Sequence, residues 1–220
     1  MSNLSRRAWL GMSGAAAVAA GLLALPSERK SWAATLPRDL IREDHFPNVV
    51  LTNHEGEQAR FYDDLVKDKF VTINFVYTSC KLTCPLTTAN LVRVQKILGE
   101  RVGRDLFMYS ITLDPQHDTP KVLKKYATTH GVGKGWQFLT GNPEEIEMLR
   151  RKLGFQWADP VRDAKKDSHT GNLRYGNEPL MLWGAVPGMS NPGWIAKCIL
   201  FADWPKAARA NQLECCATKT

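Results

Sequence analysis

A chain of 220 residues, 44% of them hydrophobic, is long enough for one globular domain with a sizeable core. Its formal net charge of +7 is spread over scattered Lys and Arg residues rather than gathered in a stripe with interleaved aromatics, which argues against nucleic acid as a partner.

The N-terminus reads as a targeting segment. Ser5-Arg6-Arg7-Ala8-Trp9-Leu10 is followed by an uncharged, Ala/Gly/Leu-rich run to Leu25, and Ser31-Trp32-Ala33 offers small residues to a signal peptidase. This is the pattern of a twin-arginine export signal, which places the mature protein in the periplasm. The apolar run is shorter than the ~20 residues of a typical membrane-spanning helix, so cleavage after Ala33 is the preferred reading and an uncleaved N-terminal membrane anchor the alternative. Removing residues 1–33 takes away Arg6, Arg7, Arg29, Lys30 and Glu28 and lowers the net charge from +7 to +4. That leaves room for a mild peripheral attraction to an anionic membrane surface or an acidic partner.

Residues 34–45 carry mixed charge without a clear period and read as an arm. Phe46 to Leu51 and Gln58 to Phe61 read as two strands of a hairpin joined by Thr52-Asn53-His54-Glu55-Gly56. Phe70 to Val76 is a run of β-branched and aromatic residues that stops at Cys80-Lys81-Leu82-Thr83-Cys84-Pro85, after which Leu86 to Leu98 has helical periodicity. With Pro85 in the first turn, Cys84 falls at or near the N-cap, where the helix dipole favours thiolate over thiol. The expectation is a pair of low-pKa sulfurs at the end of a buried strand.

Leu106 to Thr112 is the next strand, and the helix between makes the two strands parallel. Their C-terminal ends then share an edge that carries Cys80 and Cys84 on one loop and Leu113-Asp114-Pro115-Gln116-His117-Asp118 on the next, where open α/β sheets place ligands. Thr119-Pro120 and Asn142-Pro143 open two further helices with cap and proline in their usual places, and Trp136 to Leu139 is a strand between them. Residues 158–167 read as a polar loop and 175–193 as an irregular insertion. Trp194 to Phe201 reads as a closing strand that pairs with the segment after His169. The element order is that of an α/β, thioredoxin-like domain with an N-terminal β-hairpin extension and a late insertion before the last strand.

Five cysteines is an odd number for an exported chain, so at least one is free, metal-bound or intermolecular. Cys215 and Cys216 are adjacent, with Cα atoms about 3.8 Å apart, closer than the ~4.4–6.8 Å of a relaxed disulfide. Cys198, in an apolar run, reads as a small buried hydrophobe. Cys80 and Cys84 with one imidazole would make a three-donor soft site suited to Cu(I), open to a partner's ligand during transfer. His169 and His117 both qualify as the imidazole, whereas His45, His54 and His130 read as structural or surface residues. A structural disulfide between Cys80 and Cys84 would close only a tiny loop. Metal-free dithiol chemistry more often uses Cys-x-x-Cys, one residue shorter.

Asn74-Phe75-Val76-Tyr77-Thr78-Ser79-Cys80-Lys81-Leu82-Thr83-Cys84-Pro85-Leu86, then Thr112-Leu113-Asp114-Pro115-Gln116-His117-Asp118-Thr119-Pro120, then Ser168-His169-Thr170, resemble the Sco/SenC family over roughly residues 45–201. Members are thioredoxin-like copper-binding proteins involved in assembling the CuA centre of cytochrome c oxidase. The resemblance implies that Cys80, Cys84 and His169 are copper ligands, with Asp114 beside them. His117 stands where the family usually carries a basic residue, and is an additional candidate donor. The implied organisation is a signal over 1–33, an arm over 34–45, the Sco domain over 46–205 and a tail over 206–220.

The leading expectation is therefore an exported copper-binding assembly factor rather than a turnover enzyme. Its partners would be a CuA-containing oxidase subunit or another periplasmic copper donor or acceptor, and a periplasmic thiol reductant. The alternative is a thiol–disulfide reductase that uses Cys80 and Cys84 as a redox-active dithiol, keeps a partner's copper-site cysteines reduced and does not need His169. A peroxiredoxin-like reading wants threonine three positions before the reactive cysteine, where this chain has Tyr77 or Lys81.

Overall fold

The computed structural model describes residues 37–165 and 171–203. Helix α1 (Pro37–His45) leads into the hairpin β1 (Val50–Asn53) and β2 (Gln58–Arg60), and a wide helical turn over Phe61–Val66 precedes β3 (Phe70–Val76). Next come α2 (Thr83–Leu98), β4 (Leu106–Thr112), α3 (Pro120–Thr129), β5 (Trp136–Gly141), α4 (Pro143–Lys152) and the short α5 (Pro160–Asp163). The hairpin β6 (Asn172–Asn177) and β7 (Leu182–Pro187) and helix α6 (Pro192–Ala202) complete it.

Among the described residues the strands form one sheet in the order β2-β1-β5-β4-β3-β6-β7. The three central strands β3, β4 and β5 run parallel, and the hairpins flank them in antiparallel pairing. Central parallel strands are covered on both faces, so they are apolar on both. Every residue of β3 is buried. Helices α2, α3 and α6 cover one face over Leu91, Met108, Leu123, Phe138 and Ile199; α4 and the wide turn cover the other over Leu51, Phe61, Ile111, Leu139 and Leu149. A buried polar thread crosses the central strands. The Trp136 indole N–H donates to Ser110 Oγ (2.9 Å), and the Ser110 hydroxyl donates to Asn74 Oδ1 (2.7 Å).

Strands β3 and β4 and helices α3 and α4 occupy the stretches that their periodicity and caps predict. Four differences stand out. Residues 37–45 are helical rather than an unstructured arm, docked by an ion pair of Arg42 with the buried Glu178 (2.6 Å). The hairpin's first strand begins at Val50, not Phe46. Residues 175–193 are not irregular, since they complete β6 and supply β7.

The expected closing strand Trp194–Phe201 is instead part of helix α6, so no last strand follows the insertion. The physical reason is its start, where Asn191 Oδ1 accepts the N–H groups of Gly193 (2.9 Å) and Trp194 (3.2 Å) with Pro192 in the first turn. This repeats the Asn142-Pro143 start of α4. A short apolar run does not by itself distinguish a buried helix from a strand, and the cap decides. No helix among the described residues is long and apolar enough to cross a membrane. The signal segment, the end of the expected domain at 204–205 and the tail with Cys215 and Cys216 lie outside the described residues.

If the Asn191 cap starts α6, Asn191→Ala should cost about 1 kcal/mol in urea unfolding, as should Asn142→Ala at α4. An Asn191 variant with unchanged stability would contradict the helix assignment.

Candidate metal centre

Strands β3 and β4 end level with each other, with Val76 opposite Thr112, and the Leu113 N–H donates to the Val76 carbonyl (2.8 Å) just beyond. From that edge the chain turns at once, the Cys80 N–H reaching back to the Tyr77 carbonyl (3.3 Å). Helix α2 then starts at Thr83, so Cys84 is its second residue rather than its cap.

That early start separates the two thiols. The first-turn N–H of Cys84 points at Cys80 Sγ (3.5 Å). Burial raises the Cys80 pKa, but the N–H groups of Cys84 and Leu82, the Tyr77 side chain and the Cys84 thiol outweigh it, and the value falls to about 7. Cys84 faces the core at 2% exposure, and burial, reinforced by a negative Cys80 and Asp118, pushes it up to about 12. The expected pair of low-pKa sulfurs is thus one thiol poised near neutrality and one held protonated. Both are free thiols, not a disulfide.

A residue that the sequence reading passes over holds this edge together. Asp118 is fully buried, and its carboxylate accepts hydrogen bonds from the Thr78 N–H (3.1 Å), the Thr78 hydroxyl and the Thr112 hydroxyl. Thr112 Oγ1 in turn accepts the Asp114 N–H (2.9 Å), and the Asp118 N–H donates to the Asp114 carbonyl (2.8 Å). One carboxylate thereby ties the cysteine loop after β3 to the loop after β4. The recurrence of Thr before and Thr-Pro after an acidic turn was the available signal, but burial of one acid among several in a loop is a tertiary property.

Asp114, singled out from the sequence, is half-buried and shapes this turn through its backbone. His117 is exposed on the same turn. Among the described residues no group of three His, Cys, Asp or Glu side chains is arranged to hold a metal ion. His169 lies outside the described residues, between α5 and β6.

The donor chemistry that is described, two thiols of which one is readily ionised, fits a soft monovalent metal better than a hard cation. Tyr126 of α3 lies close by, its hydroxyl paired with Thr88 Oγ1 (3.1 Å). Burial, with the charges of Cys84, Cys80 and Asp118, pushes its pKa up to about 12. The remaining histidines serve structure or the surface. His54 Nδ1 accepts the Phe138 N–H (3.0 Å), His130 Nδ1 contacts the Tyr126 carbonyl (2.9 Å), and His45 is exposed. Cys198 is half-buried on α6 and packs against the core beside Tyr175.

A family model described as SCO1/SenC matches residues 42–175. A protein of Stutzerimonas stutzeri named for copper binding is 31% identical over 137 residues, covering 61% of this chain and 65% of its own. The chain spans 44% to 65% of the length of the first curated relatives that it matches. The structure of Bradyrhizobium japonicum ScoI with copper bound superposes with a TM-score of 0.56 at 22% identity, covering 70% of this chain and 96% of that one. That of BsSco, titled for a disulfide switch in a Sco family of cytochrome c oxidase assembly proteins, gives 0.58 at 24% identity over 72% and 92%. At these identities the likeness to the solved structures is one of fold, and the fold is the mixed α/β, thioredoxin-like one expected.

The asymmetry of the two thiols is measurable. Because the thiolate is the nucleophile, iodoacetamide should modify Cys80 with a rate that rises with pH through a midpoint near 7, while Cys84 stays unmodified to well above pH 9. Equal labelling of both with a midpoint near the ordinary thiol value of about 8.5 would contradict it. Asp118→Ala, which leaves three donors without their acceptor, should lower stability by about 2–4 kcal/mol in urea unfolding and, by removing one of the charges that raise Cys84, narrow the gap between the two thiols without closing it.

Proposed function

Because this chain belongs to the SCO1/SenC family, we propose that it is an exported protein that carries copper as cargo on Cys80 and Cys84, with His169 completing the donor set. It hands the metal to the CuA centre of a respiratory oxidase, or otherwise matures that centre. The observation that carries the reading is the thiol pair itself: two unbridged cysteines at one sheet edge, Cys80 poised to be thiolate at neutral pH by the N–H of Cys84 (3.5 Å) and its neighbours. Thiolates are the soft donors that Cu(I) prefers, and a disulfide could not supply them, so a reduced pair is a prerequisite. The buried charge of Asp118 close to Cys84 also favours a cation there. Relatives support the assignment by their names, since one is named for copper binding, one was solved with copper bound and one is titled for oxidase assembly. Export rests on the twin-arginine pattern of residues 5–33, and the partners proposed are a CuA-bearing subunit or another copper donor or acceptor, together with a thiol reductant.

One observation favours a second reading. A low-pKa thiol beside a buried, protonated one is the asymmetry of a thiol–disulfide reductase, in which the first attacks and the second resolves. The two readings share both cysteines and part at His169. Anaerobic loading of the reduced mature chain should give one copper per chain, abolished by Cys80→Ser or Cys84→Ser and weakened about tenfold or more by His169→Ala. No retained copper, with a readily reducible Cys80–Cys84 disulfide and full reductase activity in His169→Ala, would leave the reductase.

A further inference from the structure

The cysteines belong to the apolar layer under α2, α3 and α6. The other layer carries a groove of about 320 Å³ that copper binding does not use, walled by Phe46, Ile73, Leu153, Met181 and Trp183, with Arg174 of β6 among them. Its size is at the small end of ligand sites, which run about 300–1,000 Å³.

Arg174 is what makes the groove unusual. No carboxylate among the described residues pairs with it; its guanidinium has one long contact, to the Gly154 carbonyl (3.4 Å), and lies 5.7 Å from the Phe155 ring centroid. Burial, with nothing to offset it, lowers its pKa, which is the signature of a partly desolvated cation lacking a counter-charge. The other cation at the groove, Lys152, is already paired with Asp44 (2.5 Å), and that carboxylate also lies 3.8 Å from the His45 ring. Among the described residues Arg174 therefore supplies the uncompensated charge.

The backbone is shaped around these groups. A Cβ on Gly154, which has φ +72°, would fall 2.3 Å from the Arg174 guanidinium, and a Cβ on Gly176 would fall 2.0 Å from the Trp183 ring that lies over it. Met181 holds a positive φ of 52°, a conformation that non-glycine residues rarely adopt. The Trp183 indole N–H is buried with no acceptor among the described residues.

We propose that this groove binds a small, mostly apolar organic anion, its carboxylate against Arg174 and its single fused-ring or short-chain body against Trp183 and Phe46. Charge complementarity selects an anion, since a guanidinium fork matches a carboxylate or a phosphate, and the apolar walls favour the singly charged, less hydrated carboxylate on an organic body. Among the described residues the groove shares none with the copper site, so Cys80→Ser/Cys84→Ser should leave anion binding intact.

The test is calorimetric titration of the reduced full chain with 2-naphthoate and with its uncharged counterpart 2-naphthalenemethanol. The carboxylate should bind one per chain, on the order of tenfold tighter than the alcohol. Arg174→Met should bring it down to the alcohol's affinity without changing the alcohol's own, and Arg174→Lys should keep part of the preference. Absence of saturable binding, a carboxylate-to-alcohol ratio near one in the unsubstituted chain, or an undiminished ratio in Arg174→Met would overturn the proposal. The ratio in the unsubstituted chain decides even if Arg174→Met does not fold. Self-association of the chain that 2-naphthoate does not displace would assign the groove to a second copy and equally overturn it.

Discussion

A single buried carboxylate, that of Asp118, is the constraint on which the reactive edge depends. A carboxylate removed from water is tolerated only when its lone pairs are occupied, and here a backbone N–H and two hydroxyls occupy them. Because Thr78 comes from the loop after β3 and Thr112 from the end of β4, satisfying Asp118 fixes the two loops against each other. The parallel register of β3 and β4 brings the loops level; the carboxylate then stops them from drifting. The tight turn at Cys80 and the start of α2 at Thr83 are built outward from that anchored point.

The start of α2 converts this geometry into chemistry. The first turn of a helix has N–H groups without intrahelical partners, and the one on Cys84 finds the sulfur of Cys80. The same turn rotates the Cys84 side chain into the core. One helical start thus lowers one thiol's pKa and raises its neighbour's, although the residues are only four apart. A cysteine loop of this kind can hold a soft metal once both sulfurs are deprotonated, or exchange disulfides when they are not, which is why the two functional readings share it. The opposite face of the sheet is organised by different means. There, small residues clear space for Arg174 and Trp183, and the cation pairs with no carboxylate among the described residues.

Much of this was legible in the sequence, because the signals were local. Phe70–Val76 and Leu106–Thr112 announce themselves by unbroken β-branched and aromatic runs, and Thr119-Pro120 and Asn142-Pro143 by caps whose chemistry needs no tertiary context. The cysteine spacing and the acidic turn located the edge. Three things were hidden. Trp194–Phe201 is a short apolar run, equally suited to strand or helix, and only the weight given to Asn191-Pro192 separates them. Asp118 is indistinguishable from Asp114 as a loop acid until β3 and β4 are side by side. The divergence of the two thiol pKa values depends on a helix that begins two residues before the proline rather than at it. The Asp118 miss concerns burial created by distant partners, which periodicity does not encode, whereas the other two turn on where a helix begins.

The central claim is that Cys80, Cys84 and His169 hold one metal ion together. Copper X-ray absorption of the anaerobically loaded, reduced chain tests it most directly, because the edge reports oxidation state and the fine structure counts sulfur and imidazole neighbours. The account predicts a Cu(I) edge with two sulfur scatterers and one imidazole, the imidazole signal lost in His169→Ala with both sulfurs retained. A single sulfur, or an imidazole contribution that survives His169→Ala, would contradict it.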